Sequence, residues 1–277
     1  MLRHVAEAQR DNRVGIAGIR MTPLFSIITV TYNASLTLAA TLASVKEQSC
    51  LLYEYIVMDG ASKDNTVEMA RNAGIPNSRI FSSPDQGLYD AMNKAMEEAQ
   101  GEYLIFLNAG DAFHSPDTLQ TIADTIMDND FPGIVYGQTQ LVDIQRRRIG
   151  DRHLSAPEKL TLRSFSDGMA VCHQAFIALR RITGKYNLDY RYSADYEWCI
   201  RCLQHSRRNV YIPETIIDYL SEGVTTANRR ASLAERFKIM CHYYGTLTTV
   251  LKHLRFIPRF IKQRHKERIA TAKLQKR

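Results

Sequence analysis

Phe25-Ser-Ile-Ile-Thr-Val-Thr-Tyr-Asn33 is the stretch on which the fold turns. It is a short apolar, β-branched run that closes on small polar residues. Runs of this kind are buried parallel strands. A polar cluster at a strand's C-terminal end, followed by a helix, is where open α/β sheets bind their ligands. Thr31, Tyr32 and Asn33 are therefore expected to line a nucleotide site.

Outward from that stretch, the pattern alternates. A helix is expected over 35–49, where Leu38, Leu42 and Val45 recur at helical spacing. A strand over 54–59 ends on Asp59. The turn Gly60-Ala-Ser-Lys-Asp64 leads into a helix that Gly74 closes. A third strand over 79–82, a helix over 86–100 and a fourth strand over 103–107 follow, the last running into Asn108-Ala-Gly-Asp111. Strand–helix alternation of this kind implies a parallel sheet with right-handed crossovers. Three polar strand ends then meet on one edge: Thr31–Asn33, Asp59 and Asn108–Asp111.

The second half is less regular. A helix is expected over 116–130, strands over 133–137, 139–144 and 174–179, and a helix over 194–204. Two short strands, 210–212 and 216–220, flank Pro213. The segment 146–167 reads as an irregular stretch over the site. A helical tail begins near Ala231.

Composition bounds the rest. The 277 residues suffice for one large α/β domain with appendages. No apolar run reaches the roughly 18–20 residues that span a bilayer. The polar first 20 residues carry no apolar export signal. Five cysteines, including Cys199 and Cys202 in a CxxC within an amphipathic helix, read as reduced thiols rather than a metal or redox site. The net charge of +7 is uneven: residues 251–277 hold ten Lys or Arg and one acid, and the remaining body is near neutral. Basicity therefore concerns what the tail touches. With Phe256, Phe260 and aliphatics interleaved, the tail reads as a basic amphipathic segment for an anionic membrane surface, in preference to nucleic acid.

The three strand-end motifs, in order and at this spacing, resemble family-2 glycosyltransferases. With Asp85-Gln-Gly-Leu-Tyr-Asp-Ala-Met-Asn-Lys94 between them, the chain is similar to the bacterial colanic-acid and exopolysaccharide branch. The resemblance covers roughly residues 24–225. It implies a GT-A fold: a Rossmann-like, mostly parallel sheet flanked by helices. It implies a hexosyltransferase-type enzyme, a nucleotide-sugar donor, Mg²⁺ or Mn²⁺, an inverting reaction and a saccharide or lipid-linked acceptor. The implied layout is an extension over 1–22, a transferase domain over 23–228 and a tail over 229–277. The donor half would be about 23–112 and the acceptor half about 113–228. The implied location is cytoplasmic, at the inner face of the membrane.

Sugar transfer requires a grip on the nucleotide, a counter-charge for the leaving diphosphate, and a base for the acceptor hydroxyl. The resemblance assigns the grip to Thr31, Tyr32, Asn33 and Asp59, with Asp90, Asn93 and Asn108 near the ribose or sugar. It assigns the metal to Asp111, although the usual Asp-x-Asp position for that carboxylate is Gly110 here, which leaves open the alternative of a site that binds metal weakly or not at all. It assigns the base to Asp195, at a helix N-terminus where the dipole favours an ionised carboxylate. His173, Trp198 and Glu222 are possible acceptor contacts, Glu222 standing where many relatives have a His. Two rivals remain: a nucleotidyltransferase, disfavoured because 31–35 lacks a Gly-rich basic phosphate loop, and a non-catalytic nucleotide-sugar-binding homologue.

Overall fold

The computed structural model describes residues 22–221 and 228–254. The first half runs β1 (Phe25–Thr31), α1 (Leu38–Lys46), β2 (Tyr53–Asp59), α2 (Thr66–Asn72), β3 (Ser78–Ser82), α3 (Leu88–Glu98), β4 (Tyr103–Phe106) and β5 (Ala112–Phe113). The second half runs α4 (Thr118–Asp128), β6 (Ile134–Val142), β7 (Arg148–Asp151), β8 (Phe176–Leu179), α5 (Ala194–His205), β9 (Asn209–Leu220) and α6 (Arg229–Tyr244). Short 3₁₀ segments occupy Leu162–Asp167, His173–Ala175 and Arg180–Ile182.

One sheet, ordered β3-β2-β1-β4-β8-β6-β9-β5 with β7 against β6, runs through both halves. Its β3-β2-β1-β4 part is parallel throughout. All seven residues of β1 are buried, as are all seven of β2. Burying such Val, Ile or Phe side chains stabilises the fold by about 1.5–3 kcal/mol each. Gly101 lets β4 approach β1: a Cβ there would stand 2.5 Å from the Phe25 and Ser26 backbone.

The second half departs from pure alternation. β8 pairs antiparallel with both β4 and β6, and β9 returns parallel to β6. The strands expected on either side of Gly137 are one strand, and so are those flanking Pro213. The β6–β9 pairing steps from Tyr136↔Tyr211 to Gln138↔Thr215, so the extra residues bulge out around Pro213. Proline has no N–H to give to a ladder, and a bulge is where a strand accommodates it. The irregular 146–167 stretch contains the β6–β7 hairpin tip and one 3₁₀ turn.

A second helical run over 246–254 follows α6. Leu233, Leu247, Leu251 and Leu254 are exposed along these two helices. Among the described residues no helix is long and apolar enough to cross a membrane. Glu222, the 1–20 lead-in and the basic run after residue 254 lie outside the described residues.

Candidate active site

Strand register builds the first wall. Thr31, Asp59 and Ser82 sit level on β1, β2 and β3. Asp59 is 1% exposed. Its Oδ1 accepts from Thr31 Oγ1 at 2.9 Å and from Ser62 Oγ, and its Oδ2 accepts from Ser62 N and Ser82 Oγ at 2.8 Å each. Burial pushes this carboxyl up. The hydrogen bonds from Ser62, Ser82 and Thr31 outweigh that and hold it below its ordinary range.

Four protein donors thus occupy the carboxylate that was expected to contact the donor. Its work is to fix the 59–66 turn against Asn33. Ser62 Oγ accepts from Asn33 N, and Asn33 Oδ1 accepts from Lys63 N. Asn33 and Ala61 both take positive φ, 49° and 61°. Such backbone persists where surrounding contacts over-determine it. The turn leaves Tyr32 67% exposed, and Asn33 beside it is exposed too.

The second strand end is the Asn108–Asp111 turn. It is seated on α1: Thr41 Oγ1 donates to Asp111 O at 2.7 Å and accepts from Gly110 N at 2.9 Å. Asp111 is 4% exposed. Its Oδ1 accepts from Leu220 N at 2.9 Å and its Oδ2 from Gln174 Nε2 at 2.8 Å. The carboxylate therefore ties β9 and the 173–175 turn to β4. Burial pushes its pKa up to about 7 against these hydrogen bonds and Arg146.

Gly110 has φ +103°, and a Cβ there would meet Leu220 Cδ2 at 2.6 Å. A side chain is strained at this position, where the resemblance places the metal carboxylate. Among the described residues no group of three or more His, Cys, Asp or Glu side chains could hold a metal ion. Asn108 Oδ1 is buried with no partner among them, but it is a single neutral oxygen. Divalent cations of the Mg²⁺ type need carboxylate oxygens they can reach. Asp111 is the one carboxylate of this turn and both its oxygens accept protein hydrogen bonds, so the described residues of the turn do not fit Mg²⁺ or Mn²⁺.

The third component comes from the second half. Asp195 lies in the first turn of α5 and is partly exposed. Its Oδ1 accepts from Tyr89 Oη at 3.0 Å and from Tyr196 N at 2.9 Å. Tyr89 is buried on α3 and stacks on Tyr186, ring centroids 5.5 Å apart.

Other expected contacts are structural. Asn93 clamps the Tyr186 backbone, donating to Tyr186 O at 3.0 Å and accepting from Tyr186 N at 2.7 Å. Asp90 accepts from Gln86 N at the start of α3 and pairs with Lys94 at 2.9 Å. Trp198 is completely buried, donates to Gly184 O and stacks on Tyr186 at 5.2 Å, so it offers no face to a sugar. His173 is buried against Tyr186 Oη at 2.6 Å, and burial lowers its pKa to about 4. Cys199 and Cys202 are free, buried thiols whose pKa values burial raises.

Sequence reasoning missed Arg146, at the β6–β7 hairpin tip. Its Nη1 donates to Gly110 O at 2.6 Å, and its Nη2 lies 3.6 Å from Asp218 Oδ2. The signal available was an Arg146-Arg-Arg148 run in a body otherwise near charge balance.

The Glycosyl transferase family 2 model matches residues 26–183, and the chain belongs to that family. It is 33% identical over 219 residues to a PGL/p-HBAD biosynthesis glycosyltransferase of Mycobacterium tuberculosis, covering 76% of this chain and 79% of the relative. In fold it resembles Staphylococcus aureus TarS 1–349 in complex with UDP-GlcNAc, at TM-score 0.63 and 18% identity, covering 84% of this chain and 73% of that one. It also resembles the mannosyltransferase PcManGT of Pyrobaculum calidifontis in complex with GDP-Man and Mn²⁺, at TM-score 0.58 and 16% identity, covering 93% and 82%. The protein is a transferase with a GT-A-like fold.

Proposed function

We propose that this transferase moves a sugar, with inversion, from a nucleoside-diphosphate donor to a saccharide or lipid-linked acceptor, with Asp195 as general base. The observation that carries the reading is Asp195 itself. It is a partly exposed carboxylate in the first turn of α5, with both hydrogen bonds on Oδ1. Oδ2 accepts none among the described residues and is left for a proton.

In the reaction, the acceptor hydroxyl oxygen attacks the anomeric carbon and loses its proton to Asp195 Oδ2. The bond from that carbon to the diphosphate oxygen breaks, and its electron pair leaves with the diphosphate. Tyr32, Asn33 and the turn locked by Asp59 form the nucleotide wall, about residues 23–112 supplying the donor half and 113–228 the acceptor half. The nucleotide sugars in TarS and PcManGT, each named with the structure of that protein, support a donor of this class. The occupied carboxylate of Asp111 leaves metal assistance out of this mechanism.

The 229–277 tail is proposed to dock on an anionic membrane surface at the cytoplasmic face. The exposed leucines of the described part support this. Removing residues 251–277 is expected to release the protein from membrane fractions, and unchanged association would sink the docking role. The reaction is tested by release of nucleoside diphosphate from a panel of UDP- and GDP-sugars. Turnover that disappears in Asp195→Asn supports it; no turnover by the wild type with any of them counts against it.

A further inference from the structure

The leaving diphosphate in the proposed reaction still needs a counter-charge, and Asp111 and Gly110 do not provide a seat for a metal. Arg146 stands at that turn. Its guanidinium donates to Gly110 O at 2.6 Å, and its side chain is 29% exposed, while those of Arg147 and Arg148 are 75% and 62% exposed. Arg146 adopts φ +64°, which only a minority of non-glycine residues do. Outliers of this kind cluster at functional sites. Arg147 and Arg148 pair instead with Asp143 and Asp151.

The groups around Arg146 include Asp218, at 3.6 Å, the Gly110 carbonyl and the buried Asp111 carboxyl, whose charge it favours. Asp218 is itself shared, accepting from Gln140 Nε2 at 2.7 Å and lying 2.7 Å from His114 Nδ1. A guanidinium carries five N–H donors in a fixed fork, so these contacts leave donors for an anion. Planar forked donors suit phosphate oxygens.

We propose that Arg146 is the cation that meets the donor's diphosphate, and that the donor binds and reacts without a divalent metal. The proposal rests on the transferase reading above. The electron pair released when the bond between the anomeric carbon and the diphosphate oxygen breaks stays on the diphosphate oxygens, which face the guanidinium. No further reactant is required.

The test is calorimetric titration of the full chain with UDP and GDP, each beside its monophosphate, in excess EDTA and in excess MnCl₂. The diphosphate that binds is expected to do so within about threefold in the two buffers. Arg146→Ala is expected to weaken it about tenfold or more, with the monophosphate changed by less than about threefold. Arg146→Lys, which keeps the charge but not the fork, should fall between. Diphosphate affinity that drops about tenfold in EDTA overturns the proposal and leaves the transferase reading standing. Equal weakening of mono- and diphosphate in Arg146→Ala also overturns it, since Arg146 would then only brace the hairpin. If neither diphosphate binds in either buffer, both readings fall. The EDTA comparison needs no variant, so it decides even if Arg146→Ala does not fold.

Discussion

Tyr89 and Asp195 lie 106 residues apart and meet through one hydrogen bond of 3.0 Å, from the phenol of α3 to the carboxylate of α5. The bond joins the two halves of the chain at the proposed base. Its placement on Oδ1, beside the Tyr196 N–H, orients the carboxylate and leaves Oδ2 without a partner among the described residues.

Tyr89→Phe keeps the stack on Tyr186 and removes only that bond. Hydrogen bonds to charged groups are worth about 1.5–3 kcal/mol. Steady-state kinetics should show kcat down by roughly 10- to 100-fold with the donor KM within about threefold. A change confined to KM would place Tyr89 in donor binding instead.

Asn93→Ala tests the clamp on Tyr186. It strands a buried backbone N–H and C=O, at about 1–3 kcal/mol for each group left without a partner. Urea unfolding should show a lowered midpoint with an unchanged m-value. Titration with the donor nucleotide should show little change. Donor affinity lost with stability intact would restore the ribose role expected from the sequence.

Asp111 predicts how stability depends on pH. Its folded pKa, about 7, lies above the ordinary 3.8, so the folded state holds the extra proton between those values. Its contribution is fully present below the unfolded pKa and is lost as pH rises to about 7. The slope is roughly 1.4 kcal/mol per pH unit across that window. Thermal unfolding from pH 4 to 8 should show this loss in the wild type, and Asp111→Asn should flatten it. An unaltered profile in the variant would mean the carboxylate is not buried in this way.

Much of this was legible in advance, for physical reasons. A seven-residue buried strand leaves a continuous apolar run, so β1 and β2 and the edge they create at Thr31 and Asp59 could be read directly. The helix that Asp195 opens could be read as well, from its amphipathic spacing. Side-chain direction was not legible. Asp59, Asn93 and Asp111 look alike in sequence whether they face a ligand or the protein, and all three are consumed by partners 20 to 110 residues away. Trp198 read equally well as a sugar platform or as core until its stack on Tyr186 was seen. Arg146 was hidden because its partners, Gly110 and Asp218, lie 36 and 72 residues away across a hairpin tip, which no periodicity encodes.

The most direct measurement is nucleotide-sugar turnover by Asp195→Asn beside its affinity for the donor nucleotide. Asparagine preserves the shape and the hydrogen bond from Tyr89 but cannot take a proton. A general base contributes typically 10²–10⁴-fold. The expected result is turnover reduced by about 10²-fold or more with donor affinity within about threefold. Turnover within a few-fold of the wild type would contradict the assignment of Asp195 as the base.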